Sequence, residues 1–158
     1  MKKILLIGTG GTIASKEMGD GLTPELAAKE IVSYVPEVQN LCEIEVLQLC
    51  NIDSTNMHPK IWTELAKAVQ KNFDRYDGFV VLHGTDTMAY TASALSFVFE
   101  GLAKPIVFTG SQLPVGKLRT DGKENLITAA MSPPTKPSQL FLGDTEGKSR
   151  SLLSPRHP

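Results

Sequence analysis

Cysteine is scarce in this sequence: its 158 residues contain two, Cys42 and Cys50, alongside three histidines. The pair brackets a strand candidate at 44–49. Eight extended residues at roughly 3.3 Å each would hold the two about 26 Å apart. A disulfide needs Cα atoms within about 7 Å, so these two cannot pair across such a strand. There is no Cys-x-x-Cys and no Cys/His cluster, so metal and redox chemistry have little support and no metal site is expected.

Charge of one sign is also lacking. Sixteen Lys and Arg oppose seventeen Asp and Glu, leaving a net charge of -1, which provides no electrostatic footprint for nucleic acid or an anionic membrane. No long apolar run occurs either. Lys2 and Lys3 precede only Ile4, Leu5, Leu6 and Ile7 before Gly8 interrupts. That run is too short for a secretory core and far too short to span a bilayer. A buried first strand and a cytoplasmic location are the expectations. With 41% hydrophobic and 21% charged residues, the chain reads as an ordinary soluble domain, and a small, locally recognised ligand suits it better than a polyanion.

What is present is an alternation. Strand candidates at 3–7, 44–49, 78–83 and 105–109 are separated by helical patterns at 24–34, 59–73 and 88–99, with another beginning near Gly122. In the second helical pattern Ile61, Leu65, Ala68, Val69 and Phe73 recur at helical spacing. Pro24 and Pro59 are placed at first helical turns, where proline is tolerated. The strands are nearly continuous in apolar residues, as expected when helices cover both faces. An α/β fold follows: a doubly wound, open parallel sheet with helices on both faces. It is expected over 1–131. The segment 132–158 holds five of the ten prolines and five serines. It reads as a Pro/Ser-rich tail, either disordered or a non-native end.

Ligands of open α/β sheets bind beyond the carboxyl ends of the strands. Past the first candidate strand comes Gly8-Thr9-Gly10-Gly11-Thr12; past the second, Asn51-Ile52-Asp53-Ser54-Thr55-Asn56. Gly84-Thr85-Asp86-Thr87 follows the third, and Gly110-Ser111-Gln112 the fourth. Glycines, small hydroxyl residues and two carboxylates therefore converge on one polar pocket. The first loop is not a nucleotide motif: Ile13 stands where a dinucleotide fingerprint needs its third glycine, and no lysine precedes Thr12 as a Walker loop requires. Thr12 is a nucleophile or merely a turn residue. Asp86 or Thr85 either caps the helix near Met88 or serves proton transfer, Asp86 alternatively holding a substrate ammonium. His83 tempts as a base but ends an apolar strand, where a lone histidine is usually structural. No Gly-x-Ser-x-Gly elbow is present.

Gly10-Gly11-Thr12-Ile13-Ala14-Ser15, Asp53-Ser54-Thr55-Asn56-Met57, His83-Gly84-Thr85-Asp86-Thr87-Met88-Ala89-Tyr90-Thr91-Ala92 and Thr109-Gly110-Ser111-Gln112 together resemble the bacterial L-asparaginases, over about residues 1–130. The lack of a leader is similar to the cytosolic type I branch. The resemblance implies hydrolysis of asparagine, with weaker action on glutamine, and no cofactor. It implies Thr12 as nucleophile, Thr85 as second catalytic threonine and Asp86 as binder of the α-ammonium. Ser54 would hold the α-carboxylate, with Thr55, Gly11 and Gly84 lining the pocket and Ser111 bordering the leaving amide. It also implies a homo-oligomer, a dimer or tetramer.

Three departures accompany it. The stretch Met18-Gly19-Asp20-Gly21-Leu22-Thr23 lacks the tyrosine that family members carry on a mobile loop, and Leu22 takes its place. The family's catalytic lysine lies beyond Ala130, and neither Lys136 nor Lys148 has its context. Residues 132–158 are not expected to supply the family's smaller C-terminal domain. Two alternatives follow: a fragment that only binds a small amino acid or a partner subunit, or the ammonia-producing subunit of a tRNA-dependent amidotransferase.

Overall fold

A computed structural model describes residues 1–18, 21–99, 103–131, 139–143 and 149–153. Strand β1 (Lys3–Gly10) lies between β4 (Glu43–Ile52) and β5 (Gly78–Leu82) and is parallel to both. β6 (Ile106–Thr109) extends the sheet beside β5, also parallel. The full order is β4-β1-β5-β6-β7-β8, with β7 at Gln139–Gly143 and β8 at Ser149–Leu153. β7 is parallel to β6, and β8 is antiparallel to β7. The doubly wound parallel sheet expected from the sequence is therefore the observed fold. Most of the proposed tail 132–158, including Lys136 and Lys148, lies outside the described residues. Its described parts are these two strands, which the sequence reading did not anticipate.

Side chains alternate across the sheet, and each face is covered. Ile4, Leu6, Val80, Leu82 and Val107 pack with Ile13, Ile31, Val35 and Leu126 on one side. That side carries α1 (Ala28–Ser33) and α4 (Gly122–Met131). Leu5, Ile7, Phe79, Val81, Ile106 and Phe108 meet Leu65, Val69 and Leu95 on the other, the side of α2 (Pro59–Asn72) and α3 (Met88–Val98). Each such side chain, withdrawn from water, contributes roughly 1.5–3 kcal/mol. β4 is the edge strand and is only half-buried along most of its length.

Pro59 starts α2 as expected, but Pro24 does not start a helix. Gly21–Pro24 forms β3, paired antiparallel with β2 (Ser15–Met18) in a separate hairpin. α1 begins only at Ala28, where the Glu30 carboxylate accepts the Ala27 N–H at 2.8 Å. Local pairing through the hairpin overrides the helical periodicity of 24–34. Cys42 and Cys50 are both free, and burial pushes both thiols above their ordinary range.

Counted along the parallel strands, the order is second, first, third, fourth, fifth. The side on which successive strands are added switches between β1 and β5, and that switch point is where ligands of this topology bind. The loops after β1 and β5 carry Thr12 and Gly84-Thr85-Asp86. The ion pairs of Lys3 with Glu43 and Glu45, and of Arg75 with Glu45, gather at the opposite end of the strands.

Candidate active site

Glycine lets the four strand-end loops touch. Gly10 and Gly11 have φ of 111° and 84°, and Gly11 pairs its value with ψ of -179°, a region essentially reserved for glycine. A Cβ on Gly10 would stand 2.3 Å from Ile52 O, and one on Gly11 would stand 2.5 Å from both the Cα and N of Gly84. One on Gly84 would meet Ser54 Cβ and Oγ at 2.5 Å, and one on Gly110 would meet His83 O at 2.3 Å. The first loop thus abuts the second and third, and the third abuts the second and fourth. Hydrogen bonds join them as well. Gly11 N–H donates to Ile52 O at 3.0 Å, His83 N–H to Thr109 O at 2.9 Å and Val115 N–H to Ile13 O at 3.3 Å. Thr87 Oγ1 donates to Ser54 O at 2.8 Å.

Most hydroxyls around this junction are consumed by the protein. Thr9 donates to Leu82 O, Ser15 to Gly11 O, Thr55 to the Asp53 carboxylate and Ser111 to Leu113 O. Ser111 is buried at the junction, yet its proton is already committed. Thr55 is likewise tied to Asp53, whose carboxyl is held below the ordinary range, first by the Thr55 N–H and then by its hydroxyl. Among the described residues, no hydrogen bond or ion pair engages the side chains of Thr12, Ser54, Thr85 or Asp86. Thr12 opens the short 3-10 turn Thr12–Ala14, and Gly11, not a hydroxyl, occupies its N-cap. The N-cap of α3 is Thr87, and no side chain caps that helix. Neither Thr85 nor Asp86 is spent on capping, which was the structural alternative for both. Thr12 and Thr85 are half-buried, Ser54 is buried and Asp86 is exposed.

His83 is fully buried, and both ring nitrogens are occupied. Nδ1 meets Gly84 O at 2.7 Å and Nε2 meets Thr91 Oγ1 at 2.9 Å. Burial pushes its pKa below the ordinary value, opposed by the Gly84 carbonyl. It is a structural histidine, as its place at a strand end suggested. Sequence reasoning assigned no role to Thr91, Trp62, Asp121 or Asn125. Asp121 accepts the N–H groups of Gln112 and Leu113, and Asn125 donates to Gly110 O, so the start of α4 fixes the fourth loop. Thr120-Asp121 ahead of a helix was a legible capping signal for this.

Thr109 Oγ1 is buried with no partner among the described residues. An unpaired buried hydroxyl costs stability that an apolar isostere avoids. Thr109→Val is therefore expected to hold or raise the urea midpoint. Thr9→Val, which removes the bond to Leu82 O, should cost about 1 kcal/mol. Equal losses in the two variants would contradict this account of Thr109.

Leu22, expected at the family's tyrosine position, pairs with Glu17 in the hairpin; the side chains there lie outside the described residues. Beside the first loop, a cavity of about 240 Å³ is lined by Ser15, Lys16, Leu26, Tyr34, Pro114, Gly116 and Lys117. Among the described residues, no group of three or more His, Cys, Asp or Glu side chains could hold a metal ion. Nor is any described helix long and apolar enough to cross a membrane.

The family model described as "Asparaginase, N-terminal" matches residues 3–139. The chain belongs to the asparaginase family. L-asparaginase 1 of Escherichia coli is 44% identical over 135 residues, covering 81% of this chain and 39% of that relative. A glutamyl-tRNA(Gln) amidotransferase subunit of Metallosphaera sedula is 38% identical over 159 residues, covering 98% of this chain and 36% of the relative. The solved structure of the thermostable L-asparaginase from Thermococcus kodakarensis superposes with a TM-score of 0.83 at 37% identity. It covers 96% of this chain and 46% of that one. The chain thus spans between 29% and 39% of the length of these and the similar curated relatives it matches. In this asparaginase domain the four loops follow the parallel strands β1, β4, β5 and β6.

Proposed function

We propose that the chain is the nucleophile-bearing part of an amidohydrolase that converts L-asparagine to L-aspartate and ammonia. One observation carries this reading. Where most strand-end hydroxyls are locked into the fold, those of Thr12, Ser54 and Thr85 are unengaged beside the unpaired carboxylate of Asp86, on loops joined through Gly11, Gly84 and Ser54. Asp86 receives the substrate α-ammonium by a charge-assisted hydrogen bond, and Ser54 donates to the α-carboxylate. Thr12 Oγ1 then bonds to the side-chain carbonyl carbon and the carbon–nitrogen bond breaks. The hydroxyl proton departs with the amine as ammonia, and water hydrolyses the resulting ester to free Thr12. Thr85 stands at the adjoining loop as the second hydroxyl of the proton path. No cofactor takes part, and the enzyme works in the cytoplasm as a homo-oligomer in its full-length form.

A second reading, a site that binds the amino acid without turning it over, is favoured by the lack of tyrosine in Met18-Gly19-Asp20-Gly21-Leu22-Thr23. A third, glutamine-derived ammonia for a tRNA-dependent amidotransferase, is favoured by the amidotransferase relative. Ammonia release from asparagine and from glutamine, measured beside calorimetric aspartate binding, separates the three. Loss of a charge-assisted bond predicts that Asp86→Ala weakens aspartate binding roughly ten- to a hundredfold. Unchanged affinity in that variant would remove Asp86 from the site.

A further inference from the structure

Behind the third loop lies a buried chain of hydrogen bonds whose direction is forced at every link. Trp62 Nε1 lies 2.9 Å from Thr91 Oγ1, Thr91 Oγ1 lies 2.9 Å from His83 Nε2, and His83 Nδ1 lies 2.7 Å from Gly84 O. An indole N–H only donates and a carbonyl only accepts. Thr91 therefore accepts from Trp62 and has its own proton to give to Nε2. Nε2 is bare, and Nδ1 carries the proton donated to Gly84 O. The opposite tautomer would set the bare Nδ1 lone pair against the carbonyl oxygen. The imidazole is further held edge-on to Phe108, with ring centroids 6.1 Å apart. Thr91 and His83 are both fully buried.

We propose that Trp62, Thr91 and His83 are positioning residues for the amino-acid site, fixing the peptide between Gly84 and Thr85 through the Gly84 carbonyl. This deepens the reading that the Gly84–Asp86 loop belongs to that site. A trans peptide is planar, so anchoring the carbonyl on the His83 side directs the Thr85 N–H to the opposite side. It also sets where the chain carries Thr85 and Asp86. Without the anchor, a glycine peptide beside three further loops is free to rotate. Helices α2 and α3, which touch no ligand in this scheme, thereby control the shape of the third loop. Protonation of His83 would reverse the Thr91 link, because Nε2 would then donate to the hydroxyl instead of accepting from it.

Thr91→Val keeps the shape and removes the relay, whereas Thr91→Ser keeps the hydroxyl. In the 158-residue chain, nitrogen-15 NMR should show His83 protonated at Nδ1 and bare at Nε2, in the parent and in Thr91→Ser. In Thr91→Val, the Thr85 and Asp86 amide resonances should move and aspartate affinity should fall about tenfold, the effect of one lost hydrogen bond of ordinary strength. Thr91→Ser should restore both. An Nε2-protonated imidazole in the parent would overturn the proposal, as would unmoved Thr85 and Asp86 resonances in Thr91→Val. If the parent binds no aspartate, the functional reading fails, and the tautomer and loop resonances still judge the relay.

Discussion

Thr12→Ala is expected to abolish ammonia release from asparagine while leaving aspartate binding within about threefold of the parent, since the contacts it removes are made to the reacting carbon and not to the bound ammonium or carboxylate. The separation follows from where the groups sit. Asp86 and Ser54 lie on the loops after β5 and β4, whereas Thr12 begins the 3-10 turn after β1. Loss of an enzyme's nucleophile lowers kcat by a factor on the order of 10³ or more, since no partial bond to carbon can form. Thr12→Ser keeps an oxygen at the same place and should retain measurable turnover. A further mark is covalent: brief incubation with asparagine should add an aspartyl group to the parent and to Thr12→Ser, and none to Thr12→Ala. Equal ammonia release from parent and Thr12→Ala would remove Thr12 as nucleophile. Saturable aspartate binding by a parent that releases no ammonia would instead identify a site that binds without turnover.

In the proposed reaction His83 is not available as the base for Thr12, because both its nitrogens are engaged in the interior. Sequence alone leaned the same way from its position at the end of an apolar strand, but it could not see the partners. This marks a general division in what was legible. The β–α alternation was readable because the strands are buried on both faces, so Ile4, Leu5, Leu6 and Ile7 form an uninterrupted apolar run. The strand-end loops were readable because glycine and hydroxyl residues recur there. The hairpin of β2 and β3 was missed although Gly19-Asp20, the dipeptide between its strands, is a recognised two-residue hairpin signal. The apolar spacing of 24–34 outweighed it, and Pro24 was placed in a helix it never joins. Thr91 and Trp62 were invisible for another reason. They act through contacts across 8 and 29 residues, and neither spacing leaves a periodic trace. Which hydroxyls are free was equally hidden: Thr12 and Thr9 flank the same glycine pair, and only the fold shows that Thr9 is spent on Leu82 O.

Gly11→Ala is expected to cost about 3 kcal/mol or more and to eliminate aspartate binding. Two independent penalties act together. The backbone at φ 84° and ψ -179° is one that a residue with a Cβ adopts only under strain, at about 1–3 kcal/mol. The new Cβ would also lie 2.5 Å from the Cα and N of Gly84 and 2.9 Å from the carbonyl carbon of His83. Those neighbours are backbone and cannot rotate aside. Relief requires the first and third loops to separate, which pulls Thr12 away from Thr85 and Asp86 and strains the His83–Gly84 anchor. Gly116 supplies the control. Its φ lies outside the left-handed region, and the atoms nearest a Cβ there belong to the Tyr34 side chain, at 3.6–3.8 Å, so Gly116→Ala should stay within about 0.5 kcal/mol of the parent. Trp62, the single tryptophan, lets urea unfolding of both variants be followed by fluorescence. Coincident midpoints for Gly11→Ala and Gly116→Ala would mean that the loops are not in backbone contact. The junction on which Thr12, Ser54, Thr85 and Asp86 converge would then lose its physical basis.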